Sequence, residues 1–391
     1  MLPPEYATAL PSGYGAGAQE GTAVVSRVVV AMSGGVDSSV AAALLVEAGH
    51  EVIGITMRLW TEARPEAFRG KTQCCAIEDI DDARRVAQRL GIPHYTLNLE
   101  APFKRFVVDA FVAEYARGRT PNPCLNCNTF IKFDAFLERA LALQADFMAT
   151  GHYARRVERD EVVELHRARD MAKDQSYVLY TLAPEALERT LFPIGDLEKT
   201  AVRAIASRHG LGVAEKPDSA DICFVPGGNY REFVRQRVSD RPGEFQDADG
   251  TRLGTHAGVQ HFTVGQRRGL GAELGSRTGA EPQFVTAIEP ESNVVRLGSR
   301  EALRVEALRL EDCRWLAVAP RGGAPDGRMG DGPLTVQVRA HGTPVAAHVE
   351  GGEGGVTVHL DAPLYGVSPG QAAVIYAGER VLGGGTVQQT S

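Results

Sequence analysis

One short segment constrains the fold of this chain more than any other. The apolar run Val-Val-Val-Ala-Met is followed at once by Ser33-Gly-Gly-Val-Asp-Ser-Ser39. A β-branched run of this kind predicts a buried parallel strand over Val24 to Ala31. The stretch from Asp37 to His50 is rich in Val, Ala and Leu and reaches a glycine at its end, which predicts a helix. A strand, a glycine turn and a helix in this order predict a doubly wound α/β domain with a parallel sheet.

The same alternation continues along the chain. Further strands are predicted over 51–57, 94–99 and 146–150, and helices over 79–90, 103–115 and 133–143. After Lys216-Pro217 the chain breaks into short glycine-rich pieces, and from Val305 its short alternating segments predict a small antiparallel β-barrel. The predicted organisation is therefore a disordered tail (1–25), an α/β catalytic domain (26–215), a small central domain carrying Cys223 (216–300) and a barrel (301–391).

Composition narrows the class of protein. A chain of 391 residues has room for two or three domains. It has no apolar run near the roughly 20 residues of a membrane helix, and its start lacks the pattern of a secretion signal. Its six cysteines are too few for a disulfide scaffold, so we expect a cytoplasmic protein in a reducing environment. A net charge of −7 argues against general nucleic-acid affinity but leaves room for a local basic face.

The loop after the first strand has the properties of a phosphate site. Two glycines allow the backbone to approach an anion closely, and the N–H groups at the helix start then face it. Ser33, Ser38 and Ser39 add hydroxyl donors, whereas Asp37 beside phosphates suggests a Mg²⁺ ion. The loop lacks the lysine of a Walker motif. It resembles the pyrophosphate loop of the ATP pyrophosphatases, which activate a substrate oxygen as its adenylate.

Cysteines outside this loop indicate sulfur chemistry. Cys124 and Cys127 follow two prolines and precede a predicted helix, where the helix dipole lowers the pKa of a thiol. Cys223 lies far downstream in Lys216-Pro-Asp-Ser-Ala-Asp-Ile-Cys223. One cysteine beside the phosphate loop and another in a separate segment suit a sulfur relay. In such a relay one thiol carries a persulfide and the other acts as nucleophile or resolving thiol.

Together these segments resemble the bacterial and organellar tRNA-uridine 2-sulfurtransferases, or 2-thiouridylases. The resemblance runs from about Arg27 to Val387. It is carried by AMSGGVDSSV, Cys74-Cys75 with the acidic helix after it, GRTPNPCLNCN, TGHYAR, KDQSYVLYTL, FPIGDLEKTAVR, DSADICFVPGGNYREFV, FTVGQRRGLG and PGQAAVIY. It implies ATP-dependent adenylation of the wobble uridine and its conversion to 2-thiouridine, with Mg²⁺. It also implies tRNAs for Lys, Glu and Gln as substrates and a cysteine desulfurase or relay protein as sulfur donor.

The resemblance also assigns residues. Cys127 would be the nucleophile and Cys223 the persulfide carrier, with a disulfide between them as one way to release sulfur. The ATP site would comprise Ala31, Met32, Ser33, Gly34, Gly35, Val36, Asp37, Ser38, Met57 and Gly151. The tRNA contacts would be Asn122, Pro123, Cys124, His152, Lys173, Asp174, Gln175, Arg339, Ala340 and Gln371, and the barrel would hold the anticodon arm.

Two positions depart from the family. Many members have Asp where this chain has Cys124, and Tyr where it has Ala340. With Cys127 and Cys223, Cys124 supplies three thiolates that could hold a [4Fe–4S] cluster. The other interpretation is that Cys124 is a spare thiol.

Two further functions fit parts of the sequence. An amide-forming ATP pyrophosphatase acting on a small molecule would explain the loop but not the cysteines. A non-catalytic RNA-binding protein with a metal-stabilised CxxC would explain the barrel but not the loop.

Overall fold

The computed structural model describes residues 25–60, 77–218, 222–225, 229–270, 282–316, 333–352 and 355–391. The predicted tail up to residue 24 and the pair Cys74-Cys75 lie outside these ranges. The described chain forms two compact units. The first takes the described residues within 1–107, 124–228 and 379–381, and the second takes those within 108–123, 229–378 and 382–391.

The elements up to residue 208 alternate strands with helices. In chain order they are β1 (Arg27–Ala31), α1 (Val36–Glu47), β2 (Glu51–Arg58), α2 (Ile77–Leu90), β3 (His94–Asn98), α3 (Glu100–Phe103), a π-helix (Lys104–Asp109), α4 (Ala110–Ala116), α5 (Pro123–Asn126), a second π-helix (Cys127–Phe136), α6 (Leu137–Ala142), β4 (Phe147–Thr150), β5 (Ala154–Arg159), β6 (Val162–Arg167), a 3₁₀ turn (Ser176–Leu179), α7 (Pro184–Glu188), β7 (Thr190–Leu191) and α8 (Lys199–Arg208).

A five-stranded parallel sheet organises the first unit. Its strand order is β3-β2-β1-β4-β7, so β1 lies in the middle. Val28, Val29 and Val30 of β1 are fully buried, as expected for a strand covered on both faces. Helices α1 and α8 contribute to the core beside this strand, for example through Leu44 and Val202. The predicted doubly wound sheet is confirmed, and ligands of such sheets bind beyond the carboxyl ends of the strands.

Two local features differ from the sequence-based expectation. The helix after the proline loop begins at Pro123 rather than near Phe133, because proline is tolerated at the start of a helix. Strands β5 and β6 form an antiparallel hairpin that was not predicted. The turn of this hairpin places Asp160 and Glu161 at φ values of 48° and 66°. Among the described strand pairings, the hairpin also pairs with Arg380, which lies opposite His166 and belongs to the same unit.

After residue 208, the described part of the chain contains one further helix, two 3₁₀ turns and ten strands. They are α9 (Tyr230–Arg235), β8 (Gly243–Gln246), β9 (Arg252–His256), a 3₁₀ turn (Val259–His261), β10 (Phe284–Glu289), β11 (Val294–Gly298), a 3₁₀ turn (Glu301–Leu303), β12 (Arg304–Trp315), β13 (Leu334–Gln337), β14 (Val345–Gly352), β15 (Gly355–Tyr365), β16 (Ala372–Ala377) and β17 (Arg380–Thr390).

These strands make a small sheet and a barrel in the second unit. The small sheet has the order β10-β11-β8-β9 around Phe245, Val285 and Val295. The barrel has the order β12-β15-β14-β13-β16-β17, and pairing of β12 with β17 closes it. The predicted C-terminal antiparallel barrel is confirmed. In the described ranges, no helix is long and apolar enough to cross a membrane.

The position of Cys223 differs from the predicted domain division. The sequence placed it in a central domain that begins at residue 216. In the structure the described residues up to 225 belong to the first unit, together with the phosphate loop, and the second unit resumes at Asn229. The reason is a set of polar contacts that hold Lys216 and Asp218 to first-unit residues.

Candidate active site

The predicted phosphate loop lies between the end of β1 and the first turn of α1. Gly34 has a φ of 74°, in the region that favours glycine. A Cβ added there would lie 2.1 Å from the carbonyl oxygen of Asp79. The backbone N–H of Ser33 donates to Ser38 Oγ over 3.1 Å. The loop is therefore a tightly fixed turn that leads into a twelve-residue helix, and the first N–H groups of such a helix can bind an anion.

The neighbouring strands end beside this loop. A Cβ on Gly151, which follows β4, would lie 2.5 Å from the backbone nitrogen of Ser38. Ala31 pairs with Thr150 on one side and Ile55 on the other, two residues before the buried Met57. All ten residues predicted for ATP thus lie in the loop or at the carboxyl ends of β1, β2 and β4. Their contact with ATP stays a prediction.

The negative charge of Asp37 in the loop is neutralised by residues that were not predicted from the sequence. Lys199 Nζ lies 2.8 Å from both carboxylate oxygens of Asp37, and Tyr153 donates its hydroxyl to Oδ1 over 2.8 Å. Burial and then the Asp37 charge raise the pKa of Tyr153, which stays protonated. A signal for Lys199 did exist in the sequence, because a lysine in the first turn of a helix opposes the helix dipole.

The cysteine pair of the proline loop lies within a continuous helix. Cys124 is half-buried in α5, and Cys127 is the buried first residue of the second π-helix. Neighbouring side chains fix this helix: Asn126 Nδ2 donates to the carbonyl of Phe106 over 2.9 Å, and Asn128 Nδ2 to the carbonyl of Val178 over 2.8 Å. π-Helical segments are rare in proteins, and those that do occur are often found at functional sites. The geometry suits a nucleophile that is held in a fixed orientation.

Cys124, Cys127 and Cys223 all belong to the first unit and are thiols rather than disulfide-bonded. Among the residues that the structure describes, no group of three or more His, Cys, Asp or Glu is arranged to hold a metal ion. The structure therefore does not bring these three thiols together as ligands of an iron–sulfur cluster. Asp37, the carboxylate predicted for Mg²⁺, has both oxygens paired with Lys199, so a Mg²⁺ ion bound here would take most of its ligands from phosphates and water.

His152, predicted to touch tRNA, lies in the interior of the first unit. Its Nδ1 is 2.7 Å from Thr150 Oγ1, and its Nε2 is 3.2 Å from Lys132 Nζ. Burial and then the Lys132 charge hold the pKa of His152 well below its usual range. Since an ammonium group can only donate, the neutral ring carries its proton on Nδ1 and donates to Thr150. This arrangement orients Lys132, five residues after Cys127.

The predicted tRNA residues Lys173, Asp174 and Gln175 have different surroundings. Lys173 is partly exposed and pairs with Asp218 at 2.8 Å. Gln175 is exposed, and its Oε1 accepts from the backbone N–H of Tyr153. Asp174 has a side chain only 6% exposed and pairs with the equally buried Arg167 at 2.9 Å. It also accepts hydrogen bonds from two backbone N–H groups and a hydroxyl.

We expect Asp174→Ala to destabilise the protein, because it removes a buried carboxylate that pairs with the buried Arg167 guanidinium and accepts three further hydrogen bonds. The expected loss is about 3 kcal/mol of unfolding free energy, measured by urea denaturation. Lys173→Ala is the matched control, and the loss of its exposed ion pair should cost at most about 1 kcal/mol. Wild-type stability of Asp174→Ala, combined with weakened tRNA binding, would instead favour a direct RNA contact for Asp174.

The remaining predicted tRNA residues lie in the second unit, apart from Cys124. Arg339 is exposed after β13, and its Nη2 donates to the carbonyl of Gly366 over 2.7 Å. Gln337 donates to the carbonyls of both Arg339 and Ala340. Gln371 caps a turn by accepting from the N–H of Ser368. Asn122 and Pro123 end the second-unit segment 108–123. Their contacts with tRNA stay predictions.

Three family models match consecutive parts of the chain. The model described as tRNA methyl transferase HUP domain matches residues 26–227. The tRNA methyl transferase PRC-barrel domain matches 231–299, and the Aminomethyltransferase beta-barrel domain matches 305–387. The first match ends after Cys223 and the second begins at residue 231, close to the change from the first unit to the second.

Curated proteins match over nearly the whole chain. The tRNA-specific 2-thiouridylase MnmA of Acidothermus cellulolyticus is 49% identical over 367 residues, covering 93% of this chain and 98% of that protein. The protein of the same name from Streptomyces coelicolor is 48% identical, covering 93% and 95%. Among solved structures, a 4-thiouridine synthetase–RNA complex with bound ATP is 17% identical, with a TM-score of 0.34, and covers 55% of this chain and 50% of that chain. That likeness is too distant to carry an argument.

Proposed function

This chain belongs to the family of tRNA-specific 2-thiouridylases, and we propose that it converts the wobble uridine of tRNA to 2-thiouridine with ATP. The proposal is supported mainly by the presence of the loop and two cysteines in the same structural unit. This unit contains a phosphate loop at the carboxyl edge of a parallel sheet, a buried Cys127 in a fixed helix and a second thiol at Cys223. The three together supply an activation site and two sulfur-handling groups.

In the activation step the C2 oxygen of uridine attacks the α-phosphorus of ATP. The bond to the β-phosphate oxygen breaks, and pyrophosphate leaves. Loop N–H groups at the start of α1 stabilise the charge on the departing pyrophosphate. Asp37 and the phosphates would hold Mg²⁺, which would supply further charge neutralisation. The oxygen at C2 is then part of AMP, a good leaving group.

Sulfur transfer follows at C2. The terminal sulfur of a Cys223 persulfide attacks C2 and displaces AMP, which links the base to Cys223 through a disulfide. The Cys127 thiolate then attacks Cys223 Sγ, so that a Cys127–Cys223 disulfide forms and the sulfur remains on the base with the electron pair. Alternatively the Cys127 thiolate first attacks the terminal sulfur and displaces the Cys223 thiolate, so that Cys127 carries the persulfide that attacks C2 and Cys223 later resolves the disulfide with the base. A thiol must reduce the cysteine disulfide before the next turnover.

Partners follow from this chemistry. A cysteine desulfurase or a relay protein would load Cys223, and the tRNAs for Lys, Glu and Gln would be the substrates. The barrel would bind the anticodon arm, with Arg339, Ala340 and Gln371 among its contacts. Since the protein is acidic overall, binding should depend on local basic faces and weaken with salt. Such an enzyme would act in the cytoplasm. No step uses an iron–sulfur cluster.

Analysis of tRNA nucleosides tests the proposed function. Persulfide-loaded protein with tRNA, ATP and Mg²⁺ should form 2-thiouridine, and Cys223→Ala should lower its rate by about a thousandfold or more. Cys313→Ala is the matched control. Burial and then the nearby Asp312 raise the pKa of the Cys313 thiol to about 11, so it is an inert packing group beside the barrel core.

Two outcomes would contradict the proposal. Exchange of pyrophosphate into ATP with a small molecule and without tRNA would favour an amide-forming pyrophosphatase. Lack of ATP turnover with tRNA and persulfide both present would favour a non-catalytic RNA-binding protein.

A further inference from the structure

Lys132 is a half-buried cation without a counter-charge in the part of the chain that the structure describes. Its Nζ lies 3.2 Å from Nε2 of His152, and the described residues offer it no carboxylate partner. Three other lysines of the same unit each pair with a carboxylate: Lys173 with Asp218, Lys199 with Asp37 and Lys216 with Asp79. Since a partly desolvated ammonium group is costly without an anion and has three donor hydrogens, Lys132 is suited to bind an anionic ligand.

The neutral ring of His152 fixes the direction of this ammonium group. Its Nδ1 is 2.7 Å from Thr150 Oγ1, and its ring contacts those of Phe133 and Phe192 at centroid distances of 5.9 and 6.4 Å. The ring is therefore held on several sides while its Nε2 accepts from Lys132. Because the ring carries no charge, this hydrogen bond orients the ammonium group but leaves its positive charge uncompensated.

The contact with His152 also places Lys132 close to the phosphate loop. His152 directly follows Gly151, and a Cβ on Gly151 would lie 2.5 Å from the backbone nitrogen of Ser38 in the loop. Strand β4 ends at Thr150, so the ammonium group of Lys132 lies near the carboxyl end of this strand. That is the edge of a parallel sheet at which ligands bind.

Lys132 shares the second π-helix with Cys127. The hydrogen bonds of a π-helix join residues five positions apart, so Lys132 lies about one turn beyond Cys127. In an α-helix, which has about 3.6 residues per turn, the fifth residue along would lie on a different side of the helix. The π-helical geometry thus brings the position of the unpaired cation towards the side that carries the proposed nucleophile.

We propose that Lys132 is a further catalytic residue that binds the α-phosphate of ATP and of the uridine adenylate, with His152 as its positioning residue. The inference rests on the proposed function, in which the loop binds ATP and Cys127 handles sulfur. In that reaction the α-phosphate is joined first to the pyrophosphate at the loop and then to the C2 oxygen of uridine. It therefore lies between the loop and the cysteine, and a cation there stabilises the charge on AMP as it leaves.

The affinities of AMP and adenosine separate a phosphate contact from a general effect on the fold. AMP carries the α-phosphate alone, whereas adenosine lacks it. Both dissociation constants are measured by calorimetric competition against the α,β-methylene analogue of ATP. In Lys132→Met we expect AMP to bind about tenfold more weakly or worse, as for a lost hydrogen bond between charged groups, and adenosine to bind as in wild type. Lys132→Arg, which keeps the charge, should retain part of the AMP affinity.

Arg139→Gln is the matched control, since it also removes one positive charge, from an exposed position of the following helix α6. Both affinities should stay at their wild-type values in this variant. Lys132→Gln, which keeps a polar end group, answers the same question if Lys132→Met does not fold. Wild-type affinity for AMP in the folded Lys132 variant, or an equal weakening of AMP and adenosine, overturns the inference.

The two proposals fail separately. Selective loss of AMP affinity in Lys132→Met, combined with a wild type that forms no 2-thiouridine, overturns the proposed function alone. A wild type that forms 2-thiouridine, combined with unchanged AMP affinity in Lys132→Met, overturns the role of Lys132 alone.

Discussion

Gly34→Ala is expected to reduce ATP-dependent thiolation by at least about a hundredfold, the effect of an ångström-scale misplacement at a reaction centre. The added Cβ would lie 2.1 Å from the carbonyl oxygen of Asp79, and the residue would have to keep a φ of 74°. The carbonyl of Gly34 also accepts from Lys216, so a shift of the loop disturbs a second contact. Release of pyrophosphate from ATP in the presence of tRNA measures the loss.

Gly49→Ala separates backbone strain from steric conflict. Gly49 follows α1 with a φ of 84°, but a Cβ there would have nothing within 4 Å. It should cost about 1 kcal/mol of stability and leave pyrophosphate release unchanged. Equal activity of Gly34→Ala and Gly49→Ala would show that the loop does not need its observed backbone path.

Cys127→Ala is expected to separate the two halves of the reaction. Activation of uridine does not use the thiol, so one equivalent of pyrophosphate should still be released. Free 2-thiouridine should fall by about a thousandfold or more, because the disulfide between Cys223 and the base is no longer resolved. A single turnover with persulfide-loaded protein, followed by denaturing gel analysis with and without a reductant, should show a tRNA–protein adduct that the reductant releases.

Cys124→Ala is the matched control, about one helical turn away in the same helix. If Cys124 is a spare thiol, this variant should form 2-thiouridine at the wild-type rate in air and under anaerobic conditions. A loss of activity for Cys124→Ala together with protein-bound iron in wild type would revive the cluster interpretation. Undiminished turnover by Cys127→Ala would show that another group resolves the disulfide.

The family and the parallel-sheet architecture could be predicted from the sequence because the residues that reveal them are close together in the chain. The strand before Ser33, the glycine loop and α1 are adjacent in the chain, and the structure confirms them in that order. The family resemblance is likewise confirmed, by relatives about half identical over most of the chain. Short alternating segments predicted the barrel for the same reason.

Other features of the structure depend on contacts between residues that are distant in the sequence. The bridge from Asp37 through Lys199 to Asp218 joins three segments, and no single segment carries a pattern that reveals it. The hairpin of β5 and β6 was missed because its strands are short and highly charged. The inclusion of Cys223 in the first unit was missed because proline and glycine around residue 217 suggested a domain boundary, whereas ion pairs hold that segment in place.

The division of the chain into interleaved segments has a consequence for biosynthesis. Residues 379–381 complete the first unit: Arg380 forms an ion pair at 2.9 Å with Glu164, whose side chain is 8% exposed, and Glu379 forms one at 2.7 Å with Arg155. Domains usually fold in order as they leave the ribosome. Here the first unit also takes residues 379–381, so it is complete only after most of the second unit has been translated. A nascent chain that stops within the barrel would thus leave the buried Glu164 without its Arg380 partner.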